Sequence, residues 1–126
     1  MLFGLLAACG KAGEEYSREV LHALEQGRLV GTRGTMETVA RALEAYRLER
    51  GAYPRGATMR EAVSALSPAY LRSPSAVDAW GRTLDYRSDG DTYTLTSPGP
   101  DGRSGSGDDL VMVDGAFTNS PPPGAR

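Results

Sequence analysis

From Asp78 to Leu110 the chain reads DAWGRTLDYRSDGDTYTLTSPGPDGRSGSGDDL: one aromatic anchor, two short alternating patterns and a glycine-rich acidic loop in unbroken succession. Trp80, the only tryptophan, sits in Asp78-Ala79-Trp80-Gly81, where the indole can fill a core corner while Gly81 lets the chain turn sharply beside it. Leu84 and Tyr86 then alternate with polar residues, Asp89-Gly90 makes a turn, and Tyr93, Leu95 and Ser97 alternate again. Three aspartates, Asp101, Asp108 and Asp109, follow among glycines and serines. That order points to a small β-sheet module and not to an active site, and on composition alone the acidic loop reads as a connector.

Upstream the periodicity is helical. Tyr16, Val20, Leu21 and Leu24 line one side of a segment from Ala12 to Gly27 whose other side is charged. Gly27, Gly31 and Gly34 each cost about 1 kcal/mol of helix propensity relative to Ala, which predicts a bend or frayed stretch there. Helix resumes at Thr35, read as an N-cap, with Met36, Val39, Ala40 and Leu43 on one side, and Gly51 stops it before Tyr53-Pro54. A second helix is predicted from Met59 to Leu66, started by Thr58 and ended before Pro68. Pro68 to Ala76 reads as an extended connector. Strands are predicted near Thr83–Ser88, Thr92–Ser97 and Leu110–Asp114, and the tail from Thr118 to Arg126, with Pro121-Pro122-Pro123, reads as disordered.

These elements make an α+β chain, a long N-terminal helix, straight or bent at its glycines, packed on a small three-stranded antiparallel sheet. Leu43, Tyr53, Trp80, Tyr86 and Tyr93 form the expected core, with Trp80 mostly buried against the helix that carries Leu43. At 126 residues the chain supports one domain with a modest core, for which a bound metal is a plausible stabiliser. A net charge of -2 gives no electrostatic case for nucleic acid. The single cysteine excludes an internal disulfide framework and a cysteine-based zinc site.

No catalytic constellation emerges. His22, the only histidine, has no partner nucleophile, and the pairs Glu14/Glu15 and Glu37/Glu44 lie on charged helical faces that solvation explains. Gly4 to Lys11 lacks phosphate-loop spacing, and Ala12 stands where magnesium would need Ser or Thr. The opening apolar run, Met1 to Cys9, is too short to span a bilayer and turns polar after Cys9. Leu6-Ala7-Ala8-Cys9 matches a bacterial lipobox, in which the thiol receives diacylglycerol. The alternative is an ordinary thiol in an apolar stub. Only eight residues precede Cys9 and none is basic, a pattern that a start codon placed too far downstream would produce. This reading divides the chain into a signal remnant (1–8), a helical stalk (9–34), a globular domain (35–117) and a tail (118–126).

The block ending at Leu110 resembles the C-terminal periplasmic domain of the major pseudopilins of type II secretion, the general secretion pathway protein G family. That family shares an Asp-Pro-Trp-Gly turn, a Tyr-x-Leu-x-Ser strand, a Gly-x-Asp-Gly step and a closing acidic pair. Ala42 to Pro54 is similar to the end of the family's long helix and its Tyr-Pro exit, and Leu66, Pro68, Tyr70, Leu71 and Pro74 match its short helix and the run that follows. Roughly the last three quarters of the chain up to Leu110 is covered, and the joint order is more specific than any one piece.

The resemblance implies a pilin-like fold and a Ca2+ site at Pro98, Asp101, Ser104, Asp108 and Asp109, with carboxylates from the aspartates and a carbonyl from Pro98. It also implies a non-catalytic envelope role related to type II secretion, with secretion-system or envelope proteins as partners and self-association left open. With the lipobox at Cys9, the expected place is the periplasmic face of the cell envelope, lipid-anchored, with Gly10 after the cysteine favouring the outer membrane. The rival expectation is a true major pseudopilin, truncated by a misplaced start, that assembles into the secretion pseudopilus. Upstream genomic sequence separates the two.

Overall fold

The computed structural model describes residues 2–72, 76–103, 105 and 107–120, with helix side chains described from residue 17 onward. Two helices precede a four-stranded sheet: α1 (Leu2–Arg50), α2 (Met59–Leu66), β1 (Asp85–Ser88), β2 (Tyr93–Ser97), β3 (Leu110–Val113) and β4 (Ala116–Asn119). The sheet is an antiparallel meander in the order β1-β2-β3-β4.

α1 runs through the three glycines without the expected break. Leu29, Thr32, Met36, Val39 and Leu43 are all buried, spaced alternately three and four residues apart along one stripe. Burying such a stripe contributes about 1.5 to 3 kcal/mol per large apolar side chain, which outweighs the propensity cost of glycines on the other faces. Thr35 is accordingly not an N-cap: its hydroxyl donates back to the Gly31 carbonyl at 3.1 Å, as Thr38 does to Gly34 at 3.0 Å. The helix ends at Gly51, whose φ of 83° suits glycine and whose amide donates to the Arg47 carbonyl at 2.7 Å. No helix among the described residues is long and apolar enough to cross a membrane.

α2 starts at Thr58, whose hydroxyl oxygen accepts from the Glu61 amide at 3.2 Å, and it buries Met59, Ala62 and Leu66. Across the sheet, Tyr86 pairs with Leu95 and Leu95 with Met112, which places these three buried side chains on one face. With Tyr93 and Leu110 they join the helix stripe in one core. Tyr53 packs edge-on to Tyr93 with ring centres 4.8 Å apart, and Tyr86 stacks on Tyr93 at 6.0 Å. The Tyr86 hydroxyl donates to the Pro54 carbonyl at 2.6 Å, which fixes the helix exit against β1. Burial pushes the Tyr86 phenol up to about 12 and raises Tyr93 and Tyr53 as well. In the β1–β2 turn, the Thr92 and Asp91 amides hold the Asp89 carboxyl below its usual value.

The strand count is four, not three. β4 follows a two-residue turn, Asp114-Gly115, with φ of 51° and 91°, both left-handed as the tightest hairpins require. Asp114 is also tied down: its Oδ1 accepts from the Tyr93 amide at 2.8 Å and the Thr92 hydroxyl at 2.6 Å. Thr118 and Asn119, placed in the tail on sequence grounds, belong to this strand, where Asn119 pairs with Val111, and the Arg33 guanidinium lies 5.0 Å over the Phe117 ring, joining β4 to α1. Pro74 and residues 121–126 lie outside the described residues.

Candidate functional site

The loop between β2 and β3 is built on a buried aspartate that the sequence reading did not single out. Asp78 is 3% exposed. One of its oxygens accepts from the Trp80 amide at 3.0 Å and the Arg82 amide at 2.9 Å, so a single side chain shapes the turn in which Gly81, at φ 83°, reverses the chain. Its other oxygen accepts from the Ser97 hydroxyl at 2.8 Å, the last residue of β2, and lies 3.1 Å from Arg82 Nε. The same Ser97 hydroxyl accepts from the Gly99 amide at 3.3 Å. One carboxylate thus joins the tryptophan turn to the root of the acidic loop.

Trp80 packs at the edge of the core against α1, the helix that carries Leu43, but it meets that helix at Glu25, well before Leu43. Its indole nitrogen donates to Glu25 at 3.3 Å, and the Arg82 guanidinium covers the ring at 5.2 Å. A polar tip that reaches a helix carboxylate keeps the ring at the rim of the core, where it bridges elements. The neighbouring Ala79 amide donates to the buried Thr32 hydroxyl at 3.0 Å, a second tie between turn and helix. Glu25, Thr32 and Arg82 were missed, and Asp78 and Ser97 were read only as turn and strand residues; the local signal was an aspartate two residues before a tryptophan, the position from which a carboxylate can accept from two turn amides.

The loop itself folds back tightly. Gly99, Gly102 and Gly105 have φ of 75°, 69° and 85°. A Cβ on Gly99 would fall 2.0 Å from the Asp108 carbonyl oxygen, so the two ends of the loop touch and only glycine fits. The Gly102 amide donates to the Gly99 carbonyl at 3.2 Å. Asp101 accepts from the Arg103 amide at 2.9 Å, and Asp109, 6% exposed, accepts from the Gly105 amide at 2.7 Å. From β4, the Asn119 side chain donates to the Asp109 carbonyl at 2.5 Å and the Gly107 carbonyl at 3.3 Å.

Of the sequence-derived metal residues, Pro98 is half-buried, Asp101 exposed, Asp108 half-buried and Asp109 buried, while Ser104 lies outside the described residues. None of the three aspartates stands without a partner in the fold. Among the described residues, no group of three or more His, Cys, Asp or Glu side chains is gathered as a metal site. The donor chemistry nevertheless suits a hard cation: every candidate donor is oxygen, and the left-handed glycines close the loop so that both ends meet.

The remaining candidates are structural in their surroundings. His22 Nε2 lies 2.7 Å from Gln26 Nε2, one helical turn on. Glu44 pairs with Arg47 at 3.2 Å and accepts from the Tyr53 hydroxyl at 3.2 Å. Leu43, Tyr53, Tyr86 and Tyr93 are buried. The backbone at Cys9 is helical, and its side chain lies outside the described residues.

Comparison with curated proteins and with solved structures gives no match. Comparison with family models does: the model described as type II secretion system protein G matches residues 19–114, which takes in most of α1, all of α2, the tryptophan turn, the acidic loop and β1 to β3. The chain therefore belongs to the type II secretion system protein G family of pseudopilins.

Proposed function

We propose that this protein is a non-catalytic, lipid-anchored component of the type II secretion apparatus, working through protein contacts in the cell envelope. The observation that carries the secretion role is the family match over residues 19–114, from the helix through the loop to Asp114. Pseudopilins are structural proteins of the envelope, so binding, not turnover, is the activity to look for. The anchor would be diacylglycerol on Cys9, which supplies about 0.8 kcal/mol of membrane affinity per buried methylene. Calcium would stabilise the fold: when bound, the ion supplies positive charge that neutralises the acidic loop. Asp101, Asp108 and Asp109 with the Pro98 carbonyl and Ser104 would hold it, supported by the all-oxygen donor set and the closure of the loop on itself.

A second reading, a subunit that assembles into the pseudopilus through its helix, draws on a different observation. Leu21, Leu24 and Val30 stand exposed on α1, and Val20, Ala23, Leu24, Gly27, Arg28 and Ala79 line a shallow apolar groove of about 430 Å3 beside the tryptophan turn.

Deleting the gene from the host bacterium tests the proposal. Substrates of type II secretion should be retained in the periplasm and released again on return of the wild-type gene, with Cys9→Ser failing to restore release and leaving the membrane fraction. Unchanged secretion in the deletion strain would rule the role out. Membrane retention of Cys9→Ser would rule out the lipid anchor alone.

A further inference from the structure

Arg82 stands in an unusual place for a surface-loop arginine. One guanidinium nitrogen, Nη2, donates to the Gly99 carbonyl inside the acidic loop. Another, Nη1, would lie only 2.8 Å from a Cβ built on Gly102, so the guanidinium sits against the inner side of the Gly99–Gly102 turn. Its Nε lies 3.1 Å from the buried Asp78 carboxylate, an ion-pair approach outside hydrogen-bond geometry, and its plane rests on the Trp80 ring at 5.2 Å. The Gly99 carbonyl therefore accepts from two donors at once, Arg82 and the Gly102 amide.

We infer that Arg82 is an internal cation of the acidic loop, a positioning residue that holds the Gly99–Gly102 half in shape without a metal. A planar fork with five donors suits this task, because it can serve a carbonyl and a carboxylate together while stacking on an aromatic face. The stacked ring and the buried Asp78 fix the guanidinium, so little side-chain freedom is lost when it engages Gly99. A division of labour follows. Arg82 secures the first half of the loop from the tryptophan turn, and the Asp108–Asp109 half is left to the cation of the calcium reading, on which this second statement rests.

Hydrogen exchange at single amides tests both, using the full-length protein in chelator and in calcium chloride. In chelator, the Gly99 and Gly102 amides of the wild type should exchange slowly. In Arg82→Met, which keeps the stem over Trp80 and deletes the donors, they should exchange about tenfold faster or more, since a hydrogen bond from a charged donor is lost. The Tyr86 and Leu95 amides should stay unchanged, which shows that the fold is intact. Arg82→Lys, charged but without the fork, should fall between the two. Fast exchange of Gly99 and Gly102 in the wild type in chelator, or equal rates in Arg82→Met, would overturn the inference. Calcium should slow the Gly105 and Asp109 amides in all three proteins; its failure to do so, with the chelator result as expected, would reject the calcium reading and leave Arg82 in its role.

Discussion

Ser97 and Asp78, nineteen residues apart in sequence, meet in the interior through a 2.8 Å hydrogen bond from hydroxyl to carboxylate, and the acidic loop begins at that junction. Asp78 also serves two turn amides and the Arg82 cation, so it is the acceptor on which the turn, the end of β2 and the loop converge.

Asp78→Ala should therefore be among the most damaging single changes in the protein. It strips buried donors of their acceptor and leaves Arg82 without its counter-ion, for which a loss of about 3 to 5 kcal/mol is expected. Urea unfolding followed by Trp80 fluorescence reads this directly. A loss below about 1 kcal/mol would show that the junction is not a keystone.

The opposite sign is expected on the helix. A Cβ at Gly31 or Gly34 would meet no atom within 4 Å, and neither glycine has a left-handed φ. Gly31→Ala and Gly34→Ala should each raise stability by about 0.5 to 1 kcal/mol, seen as a higher urea midpoint with unchanged slope.

At the β3–β4 hairpin, Gly115→Ala should cost about 1 kcal/mol or more, because φ of 91° is strained for any side chain whatever the space around it. Asp114→Ala removes the acceptor for Thr92 and Tyr93 and should cost about 1 to 3 kcal/mol. Both losses should appear as faster amide exchange in β4 before any change in β1.

Stability should fall in alkaline solution. The folded protein holds the protons of Tyr86, Tyr93 and Tyr53 more tightly than the unfolded chain, whose phenols titrate near 10. Their contribution is complete below about pH 10 and is lost as pH rises toward the folded value of about 12 for Tyr86, at up to about 1.4 kcal/mol per pH unit for each phenol. Unfolding free energies measured from pH 9 to pH 12 should slope downward, more gently in Tyr86→Phe. A flat profile would contradict the burial of these hydroxyls.

How much of this was readable in the sequence depended on how local each cause was. α2 could be placed from Thr58 and Pro68 because its start is a side chain capping its own first turn. Continuity through Gly27, Gly31 and Gly34 could not, since the helix residues that overrule the glycines are buried in a core shared with residues far along the chain. β4 carries one large apolar residue, Phe117, and so shows little alternation, although Asp114-Gly115 was a hairpin signal in plain view. The convergence on Asp78 was least legible, because nothing near an aspartate in sequence tells that a serine nineteen residues later will bury it. The acidic loop, by contrast, stood out from its glycines and aspartates, and its tight closure agrees with that composition.

Calcium stabilisation of the Asp108–Asp109 half of the loop is the part of the proposed function that bears most on the structure, and thermal unfolding with calcium and with a chelator tests it most directly. Binding to the folded state alone contributes about 2.7 kcal/mol at a hundredfold excess over Kd, which for a domain of this size is a rise in Tm of roughly 10 °C. The wild type should show that rise, and Asp108→Ala combined with Asp109→Ala should melt at one temperature in both conditions. Identical melting temperatures for the wild type with calcium and with chelator would contradict the calcium proposal.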